Sequence, residues 1–126
     1  MPNLIESEKN DLVNRCLNNI GMTMFELFSP KEFKLAGQRA KVLGPGMDLL
    51  EIARDKSKPV IFISGHFGNY DVIRANLISK GYELGALYRP MNNPYFNATY
   101  LKNISTIGVP LFARGNSGMA EMMKFL

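Results

Sequence analysis

One side chain in this sequence titrates near neutral pH without help, that of His66, its sole histidine. It lies in Ser64-Gly65-His66-Phe67-Gly68-Asn69, between the apolar run Val60-Ile61-Phe62-Ile63 and a predicted helix from Tyr70 to about Lys80. Gly65 and Gly68 keep bulk away from the imidazole and let a substrate approach the backbone. Asp71 follows five residues on, in the first turn of that helix, where the dipole favours a carboxylate. From there it can reach back to an imidazole nitrogen. The helix N-terminus disfavours imidazolium, whereas the carboxylate favours it and selects the tautomer. A base held this way is neutral near pH 7 and gains a stabilised charge when it accepts a proton. This is the histidine–carboxylate half of a triad without a protein nucleophile, so the nucleophile would be a substrate hydroxyl. Spacing alone leaves two bland alternatives open: a structural histidine in a strand–helix turn, and an aspartate that only starts a helix.

Two arginines join the candidates. Arg89 ends a predicted second strand and Arg114 a predicted third, so both are expected on the same side of a sheet as His66. Guanidinium groups there could bind phosphates or stabilise the oxyanion of a tetrahedral intermediate. A solvated surface arginine, or a clamp on the Asn92-Asn93-Pro94 turn, is the alternative for each.

The elements that must position these residues are written in periodicity and punctuation. Leu12/Val13, Cys16/Leu17, Ile20, Met24 and Leu27/Phe28 recur at steps of three and four, predicting an amphipathic helix from about Ser7, its N-cap, to Phe28. Met22, Met24, Phe25 and Phe28 in it could meet lipid, but core packing is the expectation. Residues 29–46 read as a polar, basic connector ending in Gly44-Pro45-Gly46. A short helix from Met47 to about Lys56 follows. The unalternating run Val60–Ile63 reads as a strand buried on both faces. Asn69 is the expected cap of the next helix, with Gly81 just past its end. A second strand is predicted from Glu83 to Tyr88, a helix from Tyr95 to Ile107, a third strand from Val109 to Ala113, and a last helix from Ser117 to Leu126. This α-β-α-β-α-β-α order predicts an α/β fold with a largely parallel sheet flanked by helices. His66 then falls just beyond the carboxyl end of a strand, where sites in such sheets sit.

Composition narrows the setting. The 126 residues are 46% apolar, enough for one folded domain and too few for two. A lone cysteine, Cys16, excludes an internal disulfide, and with one histidine it leaves no ligand set for a structural zinc. The net charge of +4 is unevenly spread. Lys31, Lys34, Arg39 and Lys41 face Glu32 alone, and Arg89, Lys102, Arg114 and Lys124 face only Glu121. Such a surplus suits an anionic partner, although an ordinary charged surface would look the same. No stretch approaches the ~20 apolar residues of a membrane span. The last helix breaks off within the pattern Met119-Met122-Met123-Leu126, which reads as an incomplete domain, a piece of a longer protein.

The stretch Ile63-Ser-Gly-His-Phe-Gly-Asn-Tyr-Asp71, followed by Tyr88-Arg-Pro-Met-Asn-Asn-Pro94, closely resembles the bacterial lipid A biosynthesis lauroyl/myristoyl acyltransferases. These belong to the lysophospholipid acyltransferase superfamily, which shares an H-x4-D/E motif. Phe112-Ala-Arg114-Gly115 looks like a third matching block. The resemblance covers roughly residues 5–126. It implies a partial acyltransferase domain over 1–126, with an N-terminal helix and basic connector in 1–46 and the α/β core in 47–126. It further implies transfer of a fatty acyl chain from acyl carrier protein to a hydroxyl of a lipid A precursor, with His66 as base and Asp71 as its orienting acid. Arg89, Arg114, Gly68 and Asn69 are the matching candidates for substrate binding. No cofactor, metal or nucleic-acid partner is implied. The implied location is the cytoplasmic face of the inner membrane, with the family's anchor helix outside this chain. Lys102-Asn103-Ile104 departs from the pattern, because many relatives carry a further arginine there; their later Asp-Gln-type block also has no counterpart.

Two rivals stand beside this. One is another H-x4-D acyltransferase, acting on glycerol phosphate, lysophospholipid or a mannolipid. The other is a non-catalytic module that cradles an anion at the Gly-rich turn and helix N-terminus. No Walker A, G-x-G-x-x-G or G-x-S-x-G signature is present to support nucleotide binding or serine hydrolysis.

Overall fold

The computed structural model describes residues 3–65 and 68–126. Among them are six helices and one two-stranded parallel sheet, so the fold is mixed α/β but mostly helical, with a far smaller sheet than predicted.

Helix α1 (Glu6–Phe28) starts just ahead of the predicted Ser7, which lies inside it. Its first turn is closed by the Glu8 carboxylate, which accepts from the Ile5 N–H at 2.9 Å. No residue of α1 is buried, and Leu17, Ile20, Phe25 and Phe28 are all more than half exposed. The expected core packing of its Met and Phe residues is therefore corrected. A narrow side bearing Thr23, Met24, Glu26 and Leu27 lines the cavity described below. No helix among the described residues is long and apolar enough to cross a membrane.

The expected connector over 29–46 is largely a helix, α2 (Pro30–Arg39). Proline at its start has the right φ and needs no N–H partner there, while Glu32 and Arg39 complement the two ends of the dipole. Its buried residues, Phe33 and Gly37, are four apart and so share one face. That face packs on α4 (Asp71–Ser79), and the contact is close at Gly37, where an added Cβ would stand 2.6 Å from the Ala75 Cβ. Phe33, Ala75 and Ile107 form the core at this crossing, with Val72 packed beside them.

Asn76 of α4 is 1% exposed and spans the same contact. Its Nδ2 donates to the carbonyls of Gly37, Gln38 and Ala40 at 3.1, 3.3 and 2.8 Å, so it serves the C-terminal end of α2, where the Gly37 carbonyl also accepts from the Ala40 N–H. Helix α4 stops as the sequence predicts. Gly81 adopts φ +85°, Tyr82 N–H donates to the Leu77 carbonyl, and Gly81 N–H donates to that of Ile78. This pair of bonds is a Schellman ending, which needs a left-handed residue where glycine stands. Between these parts, α3 (Met47–Asp55) buries Leu50, and its Arg54 lies over the Tyr82 ring at 5.1 Å.

Strand β1 (Ala86–Tyr88), helix α5 (Pro94–Ile107) and strand β2 (Leu111–Ala113) form one βαβ unit. The two strands pair in parallel, Ala86 opposite Leu111 and Tyr88 opposite Ala113. Helix α5 begins one residue earlier than predicted, with the Asn93 side chain accepting from the N–H groups of Tyr95 and Phe96 at 3.0 and 3.1 Å. Helix α6 (Asn116–Phe125) packs on β2 through Gly118, where a Cβ would collide with the Ala113 carbonyl.

The predicted strand over Val60–Ile63 is not formed. These residues belong to no ladder, and Ile63 is 96% exposed. An apolar, β-branched run becomes a buried strand only when a neighbour takes its backbone hydrogen bonds and both faces are covered. The described residues supply neither.

Candidate active site

His66 lies outside the described residues, so the expected His66–Asp71 contact does too. Asp71 is described in full. It opens α4, and its side chain is 18% exposed. The backbone enters this helix through Gly68, whose φ of +59° suits glycine, and then Asn69. The N-cap is Tyr70 rather than the predicted Asn69, which sits one residue earlier; the Asn69 Oδ1 still accepts from the Asp71 N–H at 3.1 Å. Its Nδ2 donates to Glu26 Oε2 of α1 at 2.8 Å, so both ends of this amide are engaged within the protein.

Arg74 is the partner of Asp71 that sequence reasoning missed. Its Nε donates to Asp71 Oδ1 at 3.0 Å, one turn along α4. Its remaining nitrogens donate across to the end of α5: Nη2 to the Ile104 carbonyl at 3.1 Å and Nη1 to that of Gly108 at 3.3 Å. A cation at the C-terminal end of α5 also meets the negative pole of that helix. With Arg74 only 5% exposed, this is a buried ion pair, and removing one partner would strand a charge at a cost of about 3–5 kcal/mol. The spacing Asp71-x-x-Arg74 is a standard acid–base pair on a helix and was legible in the sequence. Arg74's reach to α5 was not.

A cavity of about 160 Å³ opens beside this cluster, with Asp71, Asn69, Tyr70 and Tyr100 on its polar side. Met24 and Leu27 of α1, Phe33 of α2, Met91, and Phe96 and Ile107 of α5 supply the apolar side. Burial pushes the Tyr100 phenol well above its usual range; its hydrogen-bonded neighbour Tyr70 and the Asp71 carboxylate add to this, and Arg74 opposes it. No pattern marked Tyr70 and Tyr100 in the sequence, because they meet only when α5 folds against α4.

The predicted neighbours Arg89 and Arg114 are adjacent. Each follows the last residue of a paired strand, and the Arg114 N–H donates to the Tyr88 carbonyl at 2.7 Å, extending the ladder by one step. Both side chains are exposed, and neither enters an ion pair among the described residues. The arginine paired with Asp71 is Arg74, not one of these two.

A mixed α/β layer that sets a fixed carboxylate beside an apolar cavity, with two exposed arginines at its strand ends, has the parts to handle an apolar substrate bearing anionic groups. The chain belongs to the bacterial lipid A biosynthesis acyltransferases: the model of that family matches residues 1–126. Neither the curated proteins nor the solved structures compared with it gave a match.

Proposed function

We propose that this chain transfers a fatty acyl group, of lauroyl or myristoyl type, from acyl carrier protein to a hydroxyl of a lipid A precursor. The carrying observation is that Asp71, the acid of the H-x4-D motif, is fixed at the wall of an apolar cavity in a chain of this family. His66 takes the proton from the acceptor hydroxyl as its oxygen attacks the thioester carbonyl. Asp71 orients the imidazole and stabilises the positive charge it gains. Collapse of the tetrahedral intermediate forms the ester, breaks the carbon–sulfur bond, and returns the proton to the departing thiolate. The cavity suits the reacting end of an acyl chain, and Arg89 and Arg114 suit phosphates of the acceptor. The reaction is placed at the cytoplasmic face of the inner membrane, where an acyl carrier protein and a membrane-held acceptor can meet.

The test is acyl transfer from lauroyl- or myristoyl-acyl carrier protein, with the protein in membranes or detergent. His66→Ala should lower turnover by about 10²–10⁴-fold, the usual share of general-base catalysis. Arg89→Ala should chiefly raise the apparent KM for the acceptor. Near-normal turnover by a folded His66→Ala protein would end the proposed mechanism.

A further inference from the structure

We infer that Arg74 is a positioning residue for this reaction: it holds the Asp71 carboxylate at a fixed place against the C-terminal turn of α5. The inference rests on the proposed role of Asp71.

The geometry separates Arg74 from an ordinary structural staple. Two neighbouring residues of α4 each reach the end of another helix. Asn76 serves the end of α2 with a neutral amide, and three carbonyls accept from it. Arg74 serves the end of α5 through Ile104 and Gly108, a task a neutral donor could also perform. A guanidinium is a costly choice at 5% exposure unless its charge is used. Here the charge is directed at one group, Oδ1 of Asp71, through the Nε edge of the fork. The three bonds are made by one planar, rigid group, so the carboxylate inherits the rigidity of α5. The carbonyls of Ile104 and Gly108 at the end of α5 share the positive charge, which leaves Asp71 with negative potential to offer a second partner. One carboxylate oxygen is taken by Arg74, and orienting an imidazole requires only the other. The backbone bond from Asp71 N–H to Asn69 fixes the main chain at the same residue, but it does not fix the carboxylate.

Lysine at this position keeps the charge and most of the stem, yet it cannot reach Asp71 and both carbonyls with a planar fork. The experiment is a double-mutant cycle on acyl transfer, with Arg74→Lys and Asp71→Asn made singly and together and assayed in detergent below the unfolding temperature of every variant. Arg74→Lys should lower kcat by about 10–100-fold with KM for the acyl carrier protein donor little changed, as expected when a catalytic group is misplaced by a fraction of an ångström or more. In the Asp71→Asn background the same change should cost less than about twofold, because the group it positions has already lost its charge. Equal losses in the two backgrounds, or an undiminished kcat in Arg74→Lys, would overturn the positioning role. Full turnover by Asp71→Asn alone is a different outcome, which removes the proposed role of Asp71 itself and with it the basis for this one.

Discussion

Glu26 of α1 and Asn69, 43 positions apart, meet at 2.8 Å, with the amide of Asn69 donating to Glu26 Oε2. The same amide's oxygen accepts from the backbone of Asp71. One small side chain thus ties the first helix to the start of the helix that carries the motif's acid. It also stands at the wall of the apolar cavity, so the link between α1 and α4 bounds the space beside Asp71. The candidate substrate contact at Asn69 is therefore occupied in organising the site.

Asn69→Ala removes both bonds. Loss of a helix-start acceptor costs about 0.5–2 kcal/mol, and the unpaired Glu26 adds little because it can turn to solvent. A fall in unfolding free energy of about 1–2 kcal/mol is expected by denaturant titration. Glu26→Gln keeps an oxygen acceptor and should cost less. Equal stability of Asn69→Ala and the parent would show that these bonds contribute nothing.

Gly37→Ala tests the α2–α4 crossing. Alanine is the better helix former, by about 0.8–1.0 kcal/mol, so an open site would be stabilised. At Gly37 the new Cβ would meet the Ala75 Cβ at 2.6 Å, and the helices must separate. Overpacking of this kind costs about 1–3 kcal/mol, which outweighs the propensity gain. Thermal unfolding should show a lower Tm, and pairing the change with Ala75→Gly should recover part of it.

The pH dependence of stability carries the signature of Tyr100. Burial raises its folded-state pKa above that of the unfolded chain, where the phenol titrates near pH ~10. Between those two values the native state holds a proton that the unfolded state has lost, so stability falls as pH rises. The contribution is fully present below pH ~10 and declines above it. Tyr100→Phe has no such proton, and its unfolding free energy should fall less steeply between pH ~9 and ~11 than that of the parent. Parallel pH profiles for the two proteins would contradict the raised pKa.

Local order was legible in the chain where short-range chemistry decides it. The helix expected from Tyr95 after the Asn92-Asn93-Pro94 turn begins within one residue of that point, Gly81 predicted the end of α4, and alternation of strands with helices predicted the parallel pairing of β1 with β2. The H-x4-D spacing with the Tyr88–Pro94 block likewise carried the family, and the match over residues 1–126 agrees. The helix ends depend on residues a few positions apart, whose dihedral preferences and hydrogen bonds act before any tertiary contact forms; the strand pairing follows instead from the handed, short connections that an alternating strand–helix order allows.

What only the tertiary structure decided depends on partners distant in sequence. Residues 30–39 look polar and basic by composition, yet Phe33 and Gly37 find Ala75 and Ile107 and the segment becomes a packed helix. Val60–Ile63 has the composition of a buried strand and is exposed, because no neighbour pairs with it among the described residues. Arg74 and Asn76 sit in mid-helix, where spacing shows at most the Asp71 pair. Their bonds to the ends of α5 and α2 require those ends to be brought within about 3 Å, the reach of a hydrogen bond. A residue's propensity is written in its own side chain. Its distant partner is set by how the helices cross, which is why the Asp71–Arg74 spacing could be found in the sequence and the anchoring of Arg74 on α5 could not.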